Sequence, residues 1–361
     1  MKIKKKLIKL LMANFLLSNF LYADKLFKSD DNLRDFYDNR YQTSEPQTND
    51  PRIKSKLNKR ITLNLSGSIA YREPQEGTNG PVIILFHAIY GGVSHRAWNK
   101  FLPMLDRQGY RVYIMDLPGT GASDKPRKKY TINDIDSFIE EFSQLVKSKE
   151  NGSPVHAVGT STITSSLLHV TGEHPDLFKS VTVFSPVGVN TLSKEPGFFQ
   201  SNFSNYKKRM RTGEVDSYIN LLRPDEVKYY IGQSLVNPES LDENHDLVVQ
   251  SRYQQANWDQ RWITYAFIAG MIYRPFKKAV EKIDQTPVLS VFGKKAKPFK
   301  PKGLIGQVLK IKAEKMSDFK SIVKDKTNFS FHQIENGASA LWQENTEEIF
   351  QVLQNFINEN Q

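Results

Sequence analysis

One stretch limits what this chain can become: Val155 to Val170, which reads Val-His-Ala-Val-Gly-Thr-Ser-Thr-Ile-Thr-Ser-Ser-Leu-Leu-His-Val. An apolar run led by β-branched residues ends at Gly159, Ser161 follows two residues later, and a helix-compatible segment begins at once. A serine so placed sits on a sharp strand-to-helix turn, the form of a nucleophile elbow. Such a turn drives the serine into a sparsely allowed backbone region, which is tolerable where its neighbours are small. It also leaves the hydroxyl above a sheet, beside helix N–H groups. Gly159 meets that need. Ile163 departs from it, because the pattern Gly-x-Ser-x-Gly has a second glycine there.

Two further stretches give the elbow a context. Pro81 to His87 is a fully apolar strand that runs into His-Ala-Ile-Tyr-Gly-Gly, and Tyr110 to Asp116 is a second buried strand leading into Asp-Leu-Pro-Gly-Thr-Gly-Ala-Ser. With the elbow, these resemble the α/β-hydrolase family over roughly Ile61 to Gln361. The resemblance implies that the loop at His87, Ala88 and Tyr90 and the elbow residue Thr162 line a substrate site, with backbone N–H groups directed at an oxyanion. It also implies that His87 has a structural hydrogen-bonding role at the mouth of that loop.

Patterning agrees with that fold. Ile61 to Tyr71 alternates like a hairpin, Trp98 to Gln108 and Ile132 to Lys149 read as helices, and Ser180 to Ser185 is a strand. Pro287 to Phe292 and Asn328 to Ile334 read as the last strands and Glu347 to Ile357 as the closing helix. Strands alternating with helices imply a parallel sheet covered on both faces. The expected fold is therefore α/β, a mostly parallel eight-stranded sheet. Pro186 to Phe276 lacks strand patterning and is rich in aromatics (Phe198, Phe199, Tyr229, Tyr230, Trp258, Trp262, Tyr265), as expected of an inserted helical cap.

A serine hydroxyl is a weak nucleophile until a histidine, oriented by a carboxylate, takes its proton. The resemblance puts the acid in the loop Gly293-Lys-Lys-Ala-Lys, where its position falls on Ala296, and the histidine in Asn336-Gly-Ala-Ser-Ala, where it falls on Ser339. The alternative acid position, after the strand ending at Ser185, has no carboxylate either. The chain thus resembles a subset of hydrolase-fold proteins with a degenerate catalytic triad. Of the other histidines, His332 falls inside the last strand and His95 in the loop adjoining His87. His245 falls in the cap. His156 falls in the elbow strand, and His169 and His174 in or after the elbow helix; all three read as structural. None is paired with a carboxylate cluster at metal-ligand spacing, so no metal and no cofactor is expected.

The amino terminus reads differently. Lys2, Lys4, Lys5, Lys6 and Lys9 precede a leucine-rich run from Leu10 to Leu21 and then Tyr-Ala-Asp, the order of a secretory signal over residues 1–23. The expected location is periplasmic or secreted. The alternative is a membrane anchor through an uncleaved amino terminus, although the run is shorter than the ~20 residues of a span. A polar arm would occupy 24–60 and the hydrolase-like domain 61–361. Removing the first segment takes five lysines and no acid from 50 basic and 39 acidic residues, so the net charge falls from +11 to +6. That moderate balance, without a nucleic-acid-binding motif, excludes a nucleic-acid partner. Zero cysteines exclude disulfides and thiol catalysis.

Two functions follow as expectations. One is a degenerate hydrolase that holds a small or lipid-like ligand between cap and sheet; the other is an active ester or amide hydrolase with a base from an unexpected place. The lysines at 294, 295, 297, 300 and 302 would favour an anion at the rim.

Overall fold

The computed structural model describes residues 56–64, 67–89, 93–124, 131–188, 228–229, 231–241, 248, 276–297 and 315–361. The expected signal at 1–23, most of the arm, Tyr90, His245 and most of the cap lie outside them. Eight strands form one sheet: β1 Lys59–Leu63, β2 Gly67–Arg72, β3 Val82–Phe86, β4 Arg111–Met115, β5 Val155–Thr160, β6 Ser180–Phe184, β7 Val288–Gly293 and β8 Phe329–Ile334. Their order is β1-β2-β4-β3-β5-β6-β7-β8. The β1–β2 and β2–β4 pairs are antiparallel and every other pair is parallel. This is the expected mostly parallel, eight-stranded sheet.

Among the described residues the helices are α1 Leu102–Arg107, α2 Ile132–Lys149, α3 Thr164–Glu173, α4 Phe276–Val280, α5 Met316–Ile322, α6 Leu341–Glu344 and α7 Thr346–Glu359. They cover both faces. On one, Ile135, Phe138, Ile139, Phe142 and Val146 of α2 pack with α3, α4 and α5 over Val82, Ile84, Val155 and Ala157. Each of those five side chains is fully buried, a contribution of about 1.5–3 kcal/mol apiece against exposure. On the other face, Trp98, Phe101, Leu105, Phe350 and Leu353 pack over Ile83, Leu85 and Val158, joined by Leu235, Leu241 and Val248 from within the expected cap.

The helix α2 has the predicted bounds, and its start is fixed by a capping box in which Thr131 and Asp134 satisfy each other's backbone N–H. The predicted Trp98–Gln108 helix is corrected to a 3₁₀ turn, His95–Trp98, followed by α1. Pro103 causes the break, since proline lacks an N–H and suits only the first turn of a helix. The short α5 was not anticipated.

A buried histidine should make the fold acid-sensitive. His156 on β5 is 2% exposed and its Nδ1 lies 2.8 Å from Ser180 Oγ. Burial, assisted by the charge of Lys179, lowers its pKa from 6.5 to about 4. The unfolded chain therefore takes up a proton that the folded one refuses as pH falls through 6.5. Stability should drop between pH 6.5 and 4 by about 3 kcal/mol from this residue alone. Urea midpoints measured across that interval should show the loss, and His156→Gln should remove its share; a variant as acid-sensitive as the parent would refute the assignment.

Candidate functional site

The sheet order puts β4 and β5 on opposite sides of β3, so the loops leaving β3 and β5 diverge at the carboxyl edge and open a crevice. Ser161 leaves β5 into that crevice with φ +56, after Thr160 in extended backbone at φ −130. A non-glycine residue there is strained by about 1–3 kcal/mol, and such strain concentrates at functional positions. The elbow therefore forms despite Ile163. Its side chain is fully buried, and the close approach of α3 to the strand is accommodated at Gly159 instead. A Cβ at Gly159 would lie 2.7 Å from Leu167 Cδ2 and 3.1 Å from Ile163 Cγ2.

The parallel register that ends at Thr160 and Phe184 leaves Ser161 beside Ser185, which is itself at φ +48. The Ser185 hydroxyl is buried and has no hydrogen-bond partner among the described residues. The Ser161 hydroxyl also has none among the described residues; the carbonyl of Ser161 accepts from Thr164 Oγ1 at 2.6 Å.

The loop after β3 is fixed from below. His87 is fully buried, its Nδ1–H donates to Ala88 O at 2.9 Å and its Nε2 accepts from Leu117 N at 3.1 Å. Burial lowers its pKa against the opposing charge of Asp116, so the ring is neutral. Asp116 accepts from His95 N at 2.6 Å, from His95 Nδ1 at 2.8 Å and from Ala122 N at 2.7 Å. Burial would raise its pKa, but the ring and N–H of His95 outweigh it and hold the carboxyl below the usual carboxylate range. A buried, ionised Asp116 thus ties the loops after β3 and β4 together. Ala88 is buried as well, and Ile89 N donates to Thr162 Oγ1 at 2.7 Å, which joins the β3 loop to the elbow.

The loop after β7 meets the turn after β8. Lys294 N donates to Ile334 O at 2.9 Å and Lys295 N to Gly337 O at 2.8 Å. A Cβ at Gly293 would lie 2.0 Å from Ala338 O, so only glycine permits this approach. Ala296 and Ser339 stand on these two segments, each partly exposed. The turn is fastened in its turn to a piece of the expected cap: Ala340 N donates to Ser234 O at 2.8 Å, and Glu344 accepts from Val236 N at 2.8 Å.

Apart from His332, the described histidines have partners elsewhere. His332 lies within β8 opposite Val291, His156 pairs with Ser180, and His95 with Asp116. His174 lies 3.3 Å from Glu140, and His169 lies 3.9 Å from Asp136 and 4.0 Å from Glu173. Of the lysine run, Lys294 pairs with Glu335 at 2.6 Å, and Lys300 and Lys302 lie outside the described residues. Among the described residues no group of three or more His, Asp or Glu is placed to hold a metal ion, and no helix is long and apolar enough to cross a membrane. Sequence reasoning missed the Ile89–Thr162 bond and the strain at Ser185. Thr162 was legible as an elbow residue, but its partner depends on how two loops meet in space.

Comparison with known proteins fits this geometry. The sequence profile of a family described as alpha/beta hydrolase fold matches residues 81–304, more than half of the chain. A 2-hydroxy-6-oxo-6-(2'-aminophenyl)hexa-2,4-dienoic acid hydrolase of Metapseudomonas resinovorans is 28% identical over 124 residues, 34% of this chain and 41% of that relative. The match thus spans less than half of the relative's length. A bacterial membrane phospholipase A described as a virulence factor superposes with a TM-score of 0.60 at 18% identity, over 99% of this chain and 98% of that one. An enol-lactonase from Burkholderia xenovorans LB400 superposes with a TM-score of 0.58 at 14% identity, over 83% of this chain and all of that one, 100%.

Proposed function

The chain belongs to the α/β-hydrolase fold family, and from that membership we propose that it is a degenerate hydrolase that binds a small or lipid-like ligand in the crevice beside Ser161. One observation carries the reading: the two segments that meet through Lys295 N and Gly337 O bear Ala296 and Ser339, neither of which can hold or move a proton as a catalytic acid or base does. The strained elbow, Ala88 and Thr162 supply the contacts for a ligand oxygen, with His87 shaping the loop from beneath. The names of the relatives, a hydrolase, a phospholipase and a lactonase, support a ligand that carries a carbonyl, carboxyl or phosphoryl oxygen. The lysine-then-leucine amino terminus supports export.

Octanoate is a suitable probe. It should bind saturably in calorimetric titration and slow amide exchange at His87–Ile89 and Ser161–Thr164, while hydrolysis of p-nitrophenyl octanoate stays within about twofold of a Ser161→Ala control. Hydrolysis abolished by Ser161→Ala would overturn the reading in favour of an active ester or amide hydrolase whose base lies in the cap. Absence of octanoate binding would remove its ligand-holding half.

A further inference from the structure

An elbow that stabilises a negatively charged oxygen uses two backbone donors: the N–H of the residue after the serine and an N–H from the loop after β3. Here the residue after the serine is Thr162, and the loop N–H that meets the elbow is that of Ile89. The Ile89 N–H does not point into open crevice. It donates to Thr162 Oγ1 at 2.7 Å, well inside the ordinary range for such a bond. Ile89 is 0% exposed and Thr162 is 8% exposed, so water does not compete for the bond. A buried N–H must have a partner. The chain supplies that partner itself, with an oxygen carried on the elbow.

We propose that Thr162 is an internal ligand of the site: its hydroxyl occupies the Ile89 donor in the resting protein, and an entering oxygen must displace it. The inference rests on the reading above, that the crevice beside Ser161 holds a ligand oxygen. Displacement needs only rotation about the Cα–Cβ bond of Thr162, because the acceptor is one atom beyond Cβ. It carries a cost, since the site is competent only in the fraction of molecules with the latch released, and apparent affinity is reduced by that fraction. The latch therefore sets a threshold. A hydrogen bond to a charged acceptor is roughly twice as strong as one between neutral groups. A carboxylate or other anionic oxygen clears the threshold more readily than the neutral carbonyl of an ester or amide. The device disfavours the very oxygen a hydrolase would have to attack.

Three proteins separate the outcomes: the parent, Thr162→Val, which keeps the shape and loses the acceptor, and Thr162→Ser, which keeps the acceptor. Backbone amide exchange at Ile89, read by NMR, should be slow in the parent and in Thr162→Ser and at least about tenfold faster in Thr162→Val. Titration with octanoate should show affinity raised about tenfold in Thr162→Val and unchanged within about twofold in Thr162→Ser. In the parent, octanamide should bind about tenfold more weakly than octanoate. Unchanged exchange at Ile89 in Thr162→Val would show that no latch exists. Faster exchange with weaker octanoate binding would show that the hydroxyl helps to hold the ligand rather than competing with it, and equal binding of octanamide and octanoate would remove the selectivity for charge. If octanoate binds none of the three, the ligand reading fails on its own, and the exchange experiment still decides the latch. Retention of the parent's melting temperature by Thr162→Ser controls for folding.

Discussion

Ala296→Asp combined with Ser339→His should convert this protein into a measurable esterase, raising hydrolysis of p-nitrophenyl butyrate at least about a hundredfold over the parent. In the subtilisin series, loss of the histidine alone costs about a million-fold, and loss of all three groups costs little more, because they act as a unit. That figure is the ceiling. A misplacement of about 1 Å can forfeit a hundredfold or more, and the expected gain is set well below the ceiling for that reason. The structure favours a gain because the supporting contacts are already made. Lys294 N and Lys295 N bind Ile334 O and Gly337 O, and Gly293 lets the two segments touch. The strained serine is in place at φ +56. Either replacement alone should stay within a few-fold of the parent, since a histidine without its carboxylate lacks its tautomer and a carboxylate without histidine cannot reach the serine proton. A well-folded double variant with no gain would show that the segments bearing 296 and 339 do not address Ser161.

Much of this arrangement was legible from residue types because it rests on local rules. The strand at 82–86 is an uninterrupted apolar run, and those at 111–115 and 155–160 are largely apolar apart from Arg111, His156 and Thr160, as suits strands covered on both faces. The α2 helix announced itself by its stripe from Ile135 to Val146 and by its capping threonine. Ser161 was legible only in company: a Gly-x-Ser turn is common by itself, and the apolar strands ending at His87 and Asp116 gave it its context. What could not be read is set by contacts between segments far apart in sequence. Ile89 and Thr162 are 73 residues apart, and nothing in either local pattern says that one hydroxyl will take the other's N–H. His95 looked like a spare histidine, yet it and Asp116 form a buried pair that binds two loops. The positive φ at Ser185 was hidden because serine carries no signal for the left-handed region, as glycine would. Ile163 misled in the other direction. It departs from the glycine pattern, yet Gly159 accommodates the close approach of helix and strand and the serine keeps its strained turn.

The reactivity of the Ser161 hydroxyl bears most directly on the central claim, that an intact elbow stands without an acid and a base. A serine activated by a hydrogen-bonded histidine reacts with fluorophosphonates many orders of magnitude faster than an ordinary serine, because proton removal and nucleophilic attack are assisted together. The Ser161 hydroxyl makes no hydrogen bond among the described residues and should keep its proton. Labelling with a fluorophosphonate probe, followed by mass spectrometry of the peptide containing Ser161, is therefore expected to proceed no faster than the background seen with Ser161→Ala. Rapid, stoichiometric modification at Ser161 in the unaltered protein would contradict the account and direct the search for a base to His245.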